Sequence, residues 1–135
     1  MAEGGRRAML DTNVASRFIR ASPSPMDERL TRASAVTISA ITEGELRFGL
    51  ARRPEAARLR AAVEAFLSRV EVLPWDRAAA IAYGEVRARM SGAGTALGAL
   101  DMLIAAHALA ADAVLVTGDK AFGRVPGLEV EDWGA

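Results

Sequence analysis

The 135-residue chain contains no cysteine. Disulfide frameworks, thiolate metal sites and cysteine nucleophiles are therefore excluded. It has a single histidine, His107. His-rich metal sites are excluded with it, and any Ser-His-Asp triad would depend on that one residue. A metal ion here would have to be held by oxygen, which hard divalent cations accept and zinc does not prefer. Charge of one sign is also lacking: Lys+Arg and Asp+Glu both number 17. That argues against a polybasic nucleic-acid binder but leaves room for a local patch. Lys120 is the sole lysine. The other cations are arginines, which suit bidentate phosphate contacts and are also what a GC-rich genome produces. No apolar run approaches the roughly 18 residues of a membrane span. Met1–Arg7 lacks the apolar stretch of a signal peptide. The expected compartment is the cytoplasm.

Hydrophobic residues make up 51% of the chain, enough for a core without covalent staples. The length predicts one domain over residues 1–135, with 1–7 as a flexible tail. Ala8-Met9-Leu10 reads as a first strand ending at Asp11. Val14–Arg20 reads as a short helix. Ser22-Pro23-Ser24-Pro25 is a turn, with Ser24 as N-cap of a helix to about Ala33. Ala35–Ser39 is a second strand. A helical pattern runs from Ala40 to Arg52, and another starts at Pro54 with Leu59, Val63, Phe66 and Leu67 on one face. Val70–Leu73 is a third strand, and Asp76 caps a helix to about Met90. Ser91–Gly98 is a loop. Ala99–Ala110 is apolar nearly all round, the pattern of a buried helix. Ala113–Val116 is a fourth strand, Asp119–Arg124 a turn or short helix, and Leu128–Glu131 a last strand. Strands alternating with helices predict an α/β fold with a mostly parallel sheet, whose ligands sit beyond the carboxyl ends of the strands.

Asp11 ends the first strand and Asp119 follows the fourth, so both fall on that edge. Each also has a plain reading as the cap of the next helix. Asp101 sits in Leu97-Gly98-Ala99-Leu100-Asp101-Met102-Leu103-Ile104, which offers it no cation. A buried unpaired carboxylate is costly, so Asp101 either caps its helix or binds a metal. Glu43 and Glu45 stand about 200° apart on a helix and cannot share a site. Glu43 shares a face with Arg47, the spacing of a solvent-exposed ion pair. Glu45 shares its face with Ile41, Thr42 and Gly49, which makes it the inward candidate. Four carboxylates gathered together would raise one another's pKa, and Mg²⁺ or Mn²⁺ would relieve the repulsion. Such a centre polarises phosphoryl oxygens and generates hydroxide. The residues alone point to a metal-dependent phosphodiesterase or phosphatase.

Four segments then carry a resemblance: Met9-Leu10-Asp11-Thr12-Asn13-Val14; Ser39-Ala40-Ile41-Thr42 running into Glu45-Leu46-Arg47-Phe48-Gly49; Gly98-Ala99-Leu100-Asp101 through Ala108; and Val116-Thr117-Gly118-Asp119 with Phe122. In this order they resemble PIN-domain ribonucleases, closest to the VapC-like toxins of type II toxin–antitoxin systems. The resemblance spans about Met9 to Trp133. It implies a three-layer α/β/α sandwich and Mg²⁺- or Mn²⁺-dependent endonucleolytic cleavage of RNA, often transfer or ribosomal RNA. It implies a homodimer and inhibition by a cognate antitoxin protein. Asp11, Glu45, Asp101 and Asp119 match the family's acidic quartet, and Thr12, Asn13 and Thr117 its supporting polar positions. Two features depart from the pattern: Glu43 stands where a small or aliphatic residue is frequent, and residues before Ala8 form an extra tail. The Leu-x-x-Gly after Glu45 favours Glu45 over Glu43.

His107 lies about 120° round its helix from Asp101 and reads as structural. Ser39 and Thr42 read as helix-start caps, and Trp75 and Trp133 as packing. Arg47, Arg52, Arg53, Arg58 and Arg60 form a solvated face, or flank an RNA path or antitoxin groove. Three other functions compete. A phosphoacceptor module of the receiver type needs a lysine ending a late strand, and Lys120 lies beyond Asp119. A haloacid-dehalogenase-like phosphatase needs a second Asp two residues after the first, and Asn13 stands there. A non-catalytic, protein-binding PIN module sits poorly with an intact quartet.

Overall fold

Five short strands, each three or four residues except the last, carry the molecule. The computed structural model of the chain describes residues 6–21, 35–94 and 97–134. The strands are β1 (Ala8–Leu10), β2 (Val36–Ser39), β3 (Glu71–Leu73), β4 (Val114–Val116) and β5 (Val130–Glu131). All pair in parallel in the order β3-β2-β1-β4-β5. Parallel strands need crossovers, and helices supply them: α1 (Thr12–Ala21), α2 (Ala40–Ala51), α3 (Ala57–Arg69), α4 (Arg77–Gly92) and α5 (Ala99–Ala110). A 3₁₀ turn, Lys120–Arg124, follows β4. The expected turn and helix over Ser22–Ala33 lie outside the described residues.

The strand pleat sorts the core into two layers. Leu10, Ile38 and Val116 face one side, against Phe18 and Ile19 of α1, Leu46 and Leu50 of α2, and Val63 and Phe66 of α3. Met9 and Leu115 face the other, against Val86 and Met90 of α4 and Met102, Ile104, Ala105 and Ala108 of α5. This is the expected α/β/α sandwich. Burying a side chain such as Phe18 contributes about 1.5–3 kcal/mol. The all-round apolar α5 is the most deeply set helix: Ala105, Ala106 and Ala108 are fully buried.

Two boundaries differ from the sequence reading. The helix expected from Pro54 begins at Ala57, because residues 53–56 close a turn through Arg53 N to Leu50 O and Ala56 N to Arg53 O. Within the expected tail, Arg6 and Arg7 are held. Arg6 pairs with Asp112 and Glu129, and the Arg7 carbonyl accepts from Val114 N. Strand order reverses on either side of β1, so the switch point lies between the carboxyl ends of β1 and β4, where ligands of open α/β sheets bind.

Candidate functional site

Asp11 leaves β1 at that switch point and is 3% exposed. Its Oδ1 accepts from Val14 N at 2.8 Å, capping α1. Asp119 leaves β4 on the same edge, and its Oδ1 accepts from Ala121 N at 2.9 Å, capping the 3₁₀ turn. The capping role read from sequence is therefore real for both. It occupies one oxygen of each carboxylate in these bonds. Thr117 is buried, and its hydroxyl accepts the Asp119 amide at 3.0 Å, which fixes the turn.

Asp101 sits in the first turn of α5 and is half-buried. The helix has no side-chain capping bond at its start, so capping does not account for Asp101. Burial pushes its carboxyl above the ordinary value, and the nearby charges of Asp11 and then Asp119 push it further. Three acids remote in sequence thus act on one another across the switch point. Their oxygen donors fit a hard divalent ion. Among the described residues, however, no set of three or more acidic or imidazole groups closes to a coordination sphere. Mutual repulsion keeps uncompensated carboxylates apart.

Glu45 lies on α2, one turn after Thr42, whose hydroxyl meets that of Thr12 next to Asp11. It lines a groove of about 220 Å³ between α1, α2 and α3, with Ser16, Arg20, Gly49, Arg53 and Leu59 among its walls. Glu43 makes the expected exposed ion pair, with Arg47 Nε at 2.7 Å; Glu64 shares that arginine at 3.2 Å. Thr42 is not a cap. It is fully buried, and its hydroxyl meets that of Thr12 at 3.1 Å, tying α2 to the start of α1. Asn13 is exposed beside Asp11.

Sequence reasoning placed His107 as structural but did not find its partners. His107 is buried, and its Nδ1 lies 2.7 Å from Ser39 Oγ. Ser39 Oγ in turn accepts from Ile41 N at 3.1 Å, capping α2. The Pro74 backbone also acts on the imidazole, raising its pKa against the effect of burial. Trp75 Nε1 donates to Leu103 O at 3.0 Å, and Trp133 packs edge-on against Phe18 at 6.4 Å; both are packing residues, as read.

A parallel sheet with acids converging on its switch point defines a class, and comparison with known proteins gives it a family. Residues 8–128 match the PIN domain. The chain is 41% identical over 127 residues to the tRNA(fMet)-specific endonuclease VapC of Salmonella typhimurium, covering 93% of this chain and 96% of that one. Ribonuclease VapC2 of Rickettsia felis is 34% identical with the same coverage. Among solved structures, the DNA-bound VapBC complex of Salmonella typhimurium aligns with a TM-score of 0.89 at 40% identity, covering 96% of this chain and 99% of that one. The chain belongs to the PIN-domain family and, within it, to the VapC ribonucleases of toxin–antitoxin pairs.

Proposed function

We propose that the chain is a divalent-metal-dependent endoribonuclease toxin acting on RNA, with transfer RNA as the first substrate to test. The observation that carries this reading is the charge-burdened Asp101 facing Asp11 and Asp119 at the switch point. Asp11, Asp101 and Asp119 are the residues to hold Mg²⁺ or Mn²⁺, with Glu45 as the fourth acid of the set. When bound, such an ion polarises a phosphoryl oxygen and acidifies a water. The protein's own part is positioning. Backbone amides at the starts of α1 and the 3₁₀ turn hold one oxygen each of Asp11 and Asp119. Thr117 orients Asp119, Thr12 braces α1 against α2, and exposed Asn13 is placed to meet the RNA. The Salmonella relative's named specificity supports transfer RNA. The VapBC complexes support an antitoxin partner, for which the groove around Glu45 is the proposed seat.

The test is cleavage of purified transfer RNA. EDTA should abolish it and added Mg²⁺ or Mn²⁺ should restore it. Cleavage that survives thorough chelation would overturn the carboxylate–metal reading, since His107 is buried against Ser39 and no other imidazole exists.

A further inference from the structure

Arg17 lies on α1 four residues after Asn13, hence on the same face. Its Nη2 lies 3.8 Å from the point a Cβ would occupy on Gly118, and Asp132 Oδ2 lies 4.0 Å from that point. Gly118 joins Thr117 to Asp119, so the guanidinium stands beside the segment that carries one of the acids. Arg17 is half-buried. Among the described residues it has neither an ion-pair nor a hydrogen-bond partner, although Asp132 flanks the same turn. A charged group that has lost hydration without gaining a partner is stabilised when an anion arrives.

The chemistry of the edge names that anion. Asp11, Asp101 and Asp119 repel a polyanion, and a cation at one side of them focuses it into place. Arginine's planar five-donor fork matches the two free oxygens of a phosphodiester. The guanidinium stands beside Gly118, the residue before Asp119, and so flanks the acids.

We propose that Arg17 is a substrate-positioning residue that clamps an RNA phosphate next to the scissile one and sets the strand's path over the β1–β4 edge. The proposal rests on the ribonuclease reading above. It assigns Arg17 to affinity and register, not to the chemical step.

The test measures binding of a fluorescein-labelled single-stranded RNA to the full chain in EDTA across a KCl series, and cleavage kinetics in Mg²⁺. Arg17→Gln should weaken binding about tenfold, as loss of one charge-assisted bidentate contact does. It should lower the slope of log Kd against log[KCl] by about one. KM should rise with kcat nearly unchanged, and the melting temperature should hold. Arg17→Lys should regain the salt slope while recovering only part of the affinity, because the charge returns without the fork. Asp132→Asn should bind RNA as well as wild type or better. An unchanged salt slope in Arg17→Gln overturns the proposal and leaves the nuclease reading standing. Equal weakening by Asp132→Asn also overturns it, because the two residues would then be a structural pair. Failure of the wild-type chain to bind or cleave RNA overturns both.

Discussion

At Asp101 the molecule works against its own ionisation. The carboxyl is half-buried, has two acids for neighbours and does not cap its helix. Such a residue stabilises nothing in the free protein. Asp101→Asn keeps the shape and removes one charge. The variant should melt at the wild-type temperature or a few degrees higher without metal, gain less than wild type from added Mn²⁺, and lose RNA cleavage. Thermal melts with and without Mn²⁺ check the first two, because ligand stabilisation tracks affinity. Strong destabilisation of the metal-free variant would make Asp101 a structural residue instead. The sequence made this acid conspicuous, since nothing near it in the chain could pair with it. Asp11 and Asp119 were legible by position, at strand ends. The groove that Glu45 lines was not legible. Periodicity tells which face of α2 it occupies, but not which elements that face packs against.

The elements were legible where one periodicity prevailed. Ala99–Ala110 reads as a helix in sequence and in structure because it is apolar on every side and long. Strands were located within a residue or two by short apolar runs. The start of α3 was misplaced because Pro54 suits the first turn of a helix and equally suits the turn it occupies. The His107–Ser39 bond was invisible because it joins α5 to the start of α2 across 68 positions. That bond makes α2 acid-sensitive. Burial lowers the His107 pKa below 6.5, while Asp76 and the Pro74 carbonyl oppose the shift. The native state therefore prefers neutral His107. Its contribution is complete above the ordinary value of 6.5 and declines as pH falls below it, until the lowered native value is reached. Asp76 and Arg7 are the charged groups lining the small cavity beside it. His107→Phe should lose the Ser39 hydrogen bond, about 1 kcal/mol. It should also melt with less pH dependence than wild type between about pH 7 and pH 5. Parallel slopes for the two proteins over that window would show that His107 does not titrate on unfolding.

At the scale of the whole molecule, the switch-point edge and the groove beside Glu45 are the two candidate surfaces. The switch-point acids sit at the sheet edge, and Glu45 opens into the groove that α1, α2 and α3 enclose. The groove is mixed in character: Ile19, Leu46, Leu59 and Val63 give it apolar walls, and Arg20, Arg53 and Glu45 give it charge of both signs. A helical segment with apolar anchors and a cation for Glu45 fits that pattern. Seated there, it would cover Glu45, the proposed fourth acid of the set. Gly49 offers a direct test. A Cβ added there meets nothing within 4 Å, so a side chain grown from it starts in open space at the groove wall. Replacing a mid-helix glycine also favours the helix by about 0.5–1 kcal/mol. Gly49→Phe should keep or raise the melting temperature while weakening the complex with the antitoxin partner by at least about tenfold. Co-purification and titration of the two proteins read this out. Cleavage is the wrong readout, because Glu45 stands one turn away. Undiminished affinity would place the antitoxin on another face, with the exposed side of α2 around Phe48 and Arg52 the next to try.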